Sequence, residues 1–302
     1  MWFWLSVATL ICWSGSDLFS KIGCRDAKDK YSHLKMVMAV GVVMGLHAAY
    51  EIFVGGTEIS LDIIMTYLPV SLLYIGSMAM GYLGLRYIEL SISSPICNSS
   101  GALVAVMTLF MVGFSEYSPL ALGAVALVCV GAIGLGIVDY FEDTELRAER
   151  QKASNYKYSK SLIALALPVA YCILDAVGTF ADNRVLETLN EDSANVAYEL
   201  TFLFVGILCF IYVVVIKKDR LVPKMEAPKY VGAICETAGQ FAYIYAIADT
   251  EHLAMSAPII SSYCAASVLW SRLFLKEKLS AKHYLMIVLV VIGIAIMGFL
   301  DM

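Results

Sequence analysis

Apolar runs long enough to cross a lipid bilayer recur along nearly the whole of this 302-residue chain, and they constrain its fold more than any other feature. Hydrophobic residues make up 60% of the sequence, whereas an ordinary soluble domain has about 45–50%. A membrane-spanning helix needs roughly 20 apolar residues, so the runs leave only short connections. We therefore predict an all-α membrane protein surrounded by the lipid bilayer. The short loops leave little room for a catalytic site, which argues against an enzyme.

Ten transmembrane helices are predicted from these runs. The first five lie at Trp2–Ile22, Tyr31–Val54, Ile63–Tyr87, Ser91–Phe114 and Pro119–Val138. The second five lie at Leu162–Ala181, Ala194–Ile216, Tyr230–Ala248, Leu253–Phe274 and His283–Leu300. We expect residues 1–140 to form one five-helix repeat and 161–302 a second, joined by a polar linker at 141–160.

The basic residues predict how the chain is oriented in the membrane. Of the 21 Lys and Arg residues, all except Arg184 fall in odd-numbered loops or at their borders, with the polar linker counted as the fifth loop. Cytoplasmic loops carry an excess of Lys and Arg. The odd-numbered loops are therefore predicted to be cytoplasmic, and both termini are predicted to be extracellular.

The two sets of spans repeat one another in sequence. Tyr82, Leu90, Ser93 and Pro95 recur 163 residues later as Tyr245, Leu253, Ser256 and Pro258, so L-x-x-S-x-P opens the fourth span of each set. Trp13 with Asp17 matches Tyr171 with Asp175, and Gly131 with Gly136 matches Gly293 with Gly298. Because each repeat has an odd number of spans, the second copy must cross in the opposite sense. Inverted-topology repeats are typical of transporters, whose substrate site lies near the midplane between the halves.

These features resemble the drug/metabolite transporter superfamily of the EamA type. The resemblance rests on the two five-helix halves, the Trp13-Ser14-Gly15 start, the L-x-x-S-x-P motif of each half, and an acidic residue after that helix, Glu116 or Glu277. Within the superfamily, the aromatic and acidic interior is most similar to LicB-type bacterial choline transporters. That similarity implies proton-coupled import of choline across the bacterial plasma membrane.

Four acidic residues lie at least five residues from either end of a predicted span, where ionisable side chains are rare unless they face a cavity or a partner. They are Asp17, Asp175, Glu199 and Glu236. Polar and aromatic residues share their helix faces at three- and four-residue spacing, and no Lys or Arg lies at the centre of a span. The interior is therefore predicted to be acidic and aromatic, which suits a cation.

A quaternary ammonium group carries charge but no N–H, so ring faces and a carboxylate must recognise it. The predicted substrate-binding residues are Trp13, Tyr74, Tyr171, Glu236, Gln240, Tyr243 and Tyr263. Glu236 lies at mid-depth and is the first candidate for proton coupling, because a proton and a cation would compete for its carboxylate. The further candidates are Glu199, Asp175 and Asp17.

Other interpretations stay open at this stage. The aromatic residues could serve packing, and Asp17 and Asp175 could bridge helices through neighbouring Ser and Thr residues. The protein could instead export amino acids or other small metabolites, or it could be a membrane sensor or a lipid-modifying enzyme. The eight cysteines include no C-x-x-C pair, so neither a disulfide framework nor a metal site is expected. No cofactor and no nucleic-acid partner are expected.

The predicted orientation can be tested with single-cysteine variants. Because both termini are predicted to be outside, an impermeant thiol reagent should label Met302→Cys on intact cells. Lys152→Cys, in the predicted cytoplasmic linker, should react only after permeabilisation. Labelling of Met302→Cys only in permeabilised cells would contradict the predicted topology.

Overall fold

The computed structural model describes residues 1–24, 29–87, 90–141, 162–275 and 279–300, and within these ranges every regular element is a helix. Nearly all of the predicted linker at 141–160 lies outside the described residues, as do Glu277 and Met302.

Twelve α-helices, numbered in chain order, form the described part of the chain. The first six are α1 Trp2–Cys24, α2 Ser32–Tyr50, α3 Leu61–Gly84, α4 Leu90–Asn98, α5 Ser100–Val112 and α6 Pro119–Tyr140. The second six are α7 Leu162–Val185, α8 Glu191–Phe210, α9 Pro223–Ala248, α10 Leu253–Ser261, α11 Tyr263–Phe274 and α12 Ala281–Leu300. Short π-helical turns extend α2 and α8, at Glu51–Gly55 and Ile211–Ile216.

The chain is a multi-pass membrane protein. Seven stretches of the described residues are long and apolar enough to cross a membrane, namely Ser32–Gly55, Leu61–Gly84, Ser93–Val112, Pro119–Val138, Glu191–Ile216, Leu253–Phe274 and Ala281–Leu300. The three other predicted spans coincide with α1, α7 and α9, which have 23, 24 and 26 residues. The count of ten crossings stays a prediction.

Polar side chains lie inside the bundle and apolar side chains cover its outside. Ser6 and Thr9 of α1 are fully buried, whereas Phe53, Phe110 and Phe204 are 84%, 75% and 61% exposed. The interior also contains apolar residues, but the large exposed apolar side chains distinguish this surface from that of a water-soluble protein, and lipid chains can solvate it.

The helices pair across the two halves of the chain. α1 packs on α9, α3 on α7, α2 on α8 and α6 on α12. A Cβ atom added to Gly131 would lie 2.8 Å from the Met286 carbonyl oxygen, and one added to Gly293 would lie 2.8 Å from the Ala124 carbonyl oxygen. Gly131 and Ala124 precede Gly293 and Met286 by 162 residues each. The reciprocal contact is compatible with the predicted inverted repeat, which stays a prediction.

The fourth and ninth predicted spans are each interrupted, and this differs from the sequence analysis. Ser99 separates α4 from α5, and Ser262 separates α10 from α11. The Ser99 hydroxyl donates to the Pro95 carbonyl oxygen at 2.9 Å, and the Ser262 hydroxyl donates to the Ile259 carbonyl oxygen at 2.6 Å. Serine hydroxyls that bond back to helical carbonyls bend helices. Pro95 therefore lies inside α4 near the interruption rather than in the first turn of a continuous span.

Helix α9 begins at Pro223, seven residues before the predicted start at Tyr230. Proline is favoured at the first helical position because its missing N–H has no helical partner there. The extra turns carry Glu226 and Lys229, which are buried and form an ion pair at 3.0 Å. Hydropathy alone excludes such charged residues from a span, so the predicted start of this helix at Tyr230 was wrong.

The loops group at two opposite ends of the bundle. At one end, Arg86 after α3 donates to the carbonyl oxygen of Asp29, between α1 and α2, at 2.9 Å. At the other end, the Ser193 hydroxyl of α8 donates to the carbonyl oxygen of Glu58, between α2 and α3, at 2.8 Å. The first and third loops therefore share one end, which is the predicted cytoplasmic end.

Because α6 and α12 approach closely, a methyl group added at their contact should destabilise the protein, whereas one added elsewhere on α6 should not. Gly131→Ala should lower the free energy of unfolding by about 1–3 kcal/mol, because the new methyl group meets backbone atoms of α12. Gly123→Ala is the matched control, since no atom lies within 4 Å of its added Cβ. Thermal unfolding of the two variants in detergent measures the difference. Equal midpoints for both would contradict this packing.

Candidate functional site

A cavity lies between helices of both halves, near the middle of the bundle. Its walls are mostly polar or aromatic. The lining residues are Trp13, Ser16, Asp17, Ser20, Tyr74, Met78, Gly81, Tyr82, Leu85, Ser93, Ser94, Cys97, Asn98, Tyr171, Asp175, Tyr198, Glu236, Gln240 and Tyr263. Both interrupted spans reach it, since Asn98 ends α4 and Tyr263 begins α11. Interrupted helices at a substrate site are typical of transporters.

Three carboxyl groups line the cavity, and each lies close to a serine. The Ser94 hydroxyl donates to Asp17 Oδ2 at 2.5 Å, and the Ser100 hydroxyl donates to Asp175 Oδ2 at 2.7 Å. The Ser16 hydroxyl approaches the Glu236 carboxylate. Each acid keeps further lone pairs that one serine cannot satisfy.

Aromatic rings form much of the remaining wall. The Trp13 ring lies 4.9 Å from the Tyr243 ring and 5.9 Å from the Tyr263 ring, measured between centroids. The Trp13 indole donates to the carbonyl oxygen of Glu236 at 3.3 Å, which fixes the ring beside that acid. α1 can approach this closely because Gly239, on α9 against Trp13, has no side chain.

The electrostatic environment of the cavity is acidic. No Lys, Arg or His is among the described residues that line it. Lys21 lies just beyond its inner end, is 2% exposed, and donates to the Leu85 carbonyl oxygen at 3.0 Å. The sequence analysis assigned Lys21 to the border of the first loop, whereas it is a buried residue of α1. A cationic ligand would complement this wall better than an anionic one.

Most of the predicted site residues come together here. Of the predicted substrate-binding residues, Trp13, Tyr74, Tyr171, Glu236, Gln240 and Tyr263 line the cavity. Tyr243 lies behind Trp13 and lines a smaller cavity, together with Thr179 and Asp175. Among the predicted proton-coupling residues, Glu236, Asp175 and Asp17 line the main cavity.

Glu199 lies apart from the main cavity. Its Oε1 atom is 2.9 Å from Nδ1 of His47 on α2 and accepts from Asn195 Nδ2 at 3.2 Å. Glu199 is fully buried. Its position between α2 and α8 gives it a partner of its own, and it is not among the described residues that line the cavity.

Several residues of the site were missed from the sequence. Ser94 lies in the L-x-x-S-x-P segment and Asn98 lies three residues after it, and this segment was interpreted only as the start of a helix. Asp182 of α7 is fully buried and accepts from Tyr67 at 2.6 Å. Helical spacing placed Asp182 on one face with Tyr171, Asp175 and Thr179, but it was not among the predicted site residues.

Comparison with known proteins relates this arrangement to a transporter family. The model of the EamA-like transporter family matches residues 162–299, which span nearly all of α7 to α12. No curated protein matches the chain. Among 28 matching chains of solved structures, one described only as "Crystal structure of protein" aligns with a TM-score of 0.63 and 13% identity. The alignment covers 98% of this chain and 96% of that chain, and it shows a shared fold.

The position of Trp13 predicts its contribution to cation binding. Trp13→Ala should weaken binding of a quaternary ammonium cation, the ligand class predicted from the sequence, by about five- to thirty-fold, or roughly 1–2 kcal/mol, because one ring face of the wall is lost. Trp13→Phe should retain part of the affinity. Trp4→Ala is the matched control, since Trp4 is on the same helix but 71% exposed toward the outside. Calorimetric titration of the folded variants tests this, and an unchanged affinity in Trp13→Ala would assign the ring to packing.

Proposed function

We propose that this protein is a secondary transporter that imports a small organic cation, choline, by proton-coupled alternating access between its two halves. The observation that carries the proposal is the central cavity, which has three carboxyl groups, several aromatic rings and no basic lining residue in the described part of the chain. The match of residues 162–299 to a transporter family supports the transport function.

The composition of the cavity wall favours a quaternary ammonium over other cations. Such a group cannot donate a hydrogen bond, so ring faces attract it and carboxylates balance its charge at longer range. Trp13 and Tyr263 meet nearly edge to face at 75°, and Glu236 lies beside Trp13. Rings at steep angles to one another can cover several sides of a compact trimethylammonium group.

Export of amino acids is the main alternative, and the cavity fits it less well. An amino acid brings a carboxylate that needs a basic partner or several N–H donors. Lys21 is the basic residue nearest to the cavity, but it donates to Leu85 and lies beyond the inner end. No observation in the described residues favours a sensor or a lipid-modifying enzyme.

Proton coupling follows from competition for a carboxylate. A proton bound to Glu236 removes the charge that attracts the cation, and a bound cation opposes protonation. Asp17 and Asp175 share the cavity and are further candidates. Glu199 is paired with His47 outside the cavity, so it could affect coupling only through the packing of α2 against α8.

Replacement of Glu236 by Gln tests the coupling. The variant imitates the protonated acid at nearly constant volume, so accumulation of choline driven by a pH gradient should be lost, whereas exchange across the membrane should survive. Glu187→Gln is the matched control, because Glu187 is an exposed acid paired with Arg184 at 2.6 Å. Uptake and exchange of labelled choline in proteoliposomes separate the two activities.

Two outcomes would change the proposal. If Glu236→Gln still concentrates choline and the Asp17, Asp175 or Glu199 variant does not, that other acid carries the proton. If all four variants concentrate choline normally, coupling through these carboxyls is excluded. A uniporter driven by the membrane potential would then explain the uptake.

A further inference from the structure

Five polar side chains form a buried hydrogen-bonded cluster beyond the outer wall of the cavity. The tyrosine–aspartate cluster consists of Tyr67, Tyr74, Thr179, Asp182 and Tyr243. Tyr67 donates to Asp182 Oδ1 at 2.6 Å, and Tyr74 donates to Asp182 Oδ2 at 3.2 Å. The Tyr243 hydroxyl lies 3.0 Å from Thr179 Oγ1 and in contact with the Tyr74 hydroxyl, and its one proton can be donated to either of them. No member is more than 6% exposed.

This cluster joins the two halves of the chain at the side of the cavity opposite to Lys21. Tyr67 and Tyr74 belong to α3, Thr179 and Asp182 to α7, and Tyr243 to α9. Asp182 lies seven residues beyond Asp175 on α7, a rise of about 10 Å toward the predicted extracellular end. Tyr74 connects the two regions, because its ring lines the cavity and its hydroxyl belongs to the cluster.

A second cluster joins the halves at the opposite end and has different chemistry. The ionic cluster consists of Asp29, Lys35, Arg86, Asp219, Glu226 and Lys229. Lys35 lies 3.0 Å from Asp29 and 2.9 Å from Asp219, and Lys229 lies 3.3 Å from Asp29. The side chains of Lys35 and Lys229 are 4% and 0% exposed. Both clusters therefore connect residues from before and after the linker, one on each side of the cavity.

We propose that Asp182 is the residue that holds the cavity closed toward the outside, so that the tyrosine–aspartate cluster is the extracellular gate and the ionic cluster is the cytoplasmic gate. The proposal rests on transport by alternating access, in which the halves separate at one end at a time. An ionised carboxylate only accepts hydrogen bonds, and Asp182 accepts from both α3 tyrosines. Asp182→Asn keeps the shape but replaces one acceptor oxygen with a donor group, so at least one tyrosine hydroxyl loses its partner.

The native cysteine Cys97 reports which end of the cavity is open. It lines the cavity and is 6% exposed. In a variant that keeps Cys97 and replaces the other seven cysteines by Ala, we would measure its rate of reaction with an impermeant trimethylammonium thiosulfonate added from outside. The measurement uses intact cells and no choline.

The gate variants should change this rate in opposite directions. Asp182→Asn and Tyr67→Phe should raise it about tenfold, the factor that corresponds to losing one hydrogen bond to a charged group. Lys229→Met, in the ionic cluster, should lower it, because a weaker cytoplasmic gate favours the state that is open to the inside. Tyr117→Phe is the matched control, since Tyr117 donates to Glu251 at the same end but outside the cluster. Its rate should not change.

Three results would overturn the proposal. The first is an unchanged rate of Cys97 labelling in both Asp182→Asn and Tyr67→Phe. The second is an equal increase of this rate in Tyr117→Phe. The third is an increase in Lys229→Met, which would indicate that the whole bundle is loosened. Tyr67→Phe keeps the test valid if Asp182→Asn does not fold. Choline uptake by the unmodified protein is measured in parallel. If the unmodified protein does not take up choline but the variants show the expected labelling rates, choline is rejected as the substrate. If choline is taken up but the labelling rates do not change as expected, the gates are rejected.

Discussion

The high cost of burying carboxyl groups away from water governs the arrangement of this bundle. An isolated charge in an apolar medium is so unfavourable that it must be neutralised, paired or hydrogen-bonded. Asp17, Asp175 and Asp182 each accept from at least one hydroxyl group of another helix. These hydrogen bonds connect α1 to α4, and they connect α7 to both α3 and α5. The outer faces need only be apolar, so they place few constraints on the sequence.

The same requirement explains why the helix breaks lie at the cavity. A continuous α-helix uses its backbone groups internally and offers a ligand only side chains. At Ser99 and Ser262 the helix is interrupted and the serine hydroxyls bond to backbone carbonyls. The residues on either side, Asn98 and Tyr263, then line the cavity, and Ser100 reaches Asp175 from the other half. The interruption therefore brings side chains of the fourth span to an acid that lies far away in sequence.

The sequence located most of the helices, apart from the two interruptions and the start of α9, and it identified eight of the nineteen described residues that line the cavity. Hydropathy located the spans. Helical spacing placed Trp13, Asp17 and Asp175 on interior faces, because a polar residue within the bilayer must face a cavity or a polar partner. It failed where contacts between distant residues decide the structure. Asp29 stabilises the buried Lys229 and thereby extends α9. His47 gives Glu199 a partner away from the cavity. Neither pairing has a local signature in the sequence.

The two ends of the cavity differ in chemistry although the helix packing is reciprocal. At the offset of 158 that relates Asp17 to Asp175, Thr179 corresponds to Lys21 and Asp182 to Cys24. At the outer positions, the Thr179 hydroxyl and the Asp182 carboxyl group are hydrogen-bonded to tyrosines. At the inner positions, the Lys21 ammonium group donates to the Leu85 carbonyl oxygen, and Cys24 carries a thiol. Packing through Gly131 and Gly293 needs the same small residue in both halves. The side chains at the ends have no such requirement, so they can diverge and give the outward and inward states unequal stability.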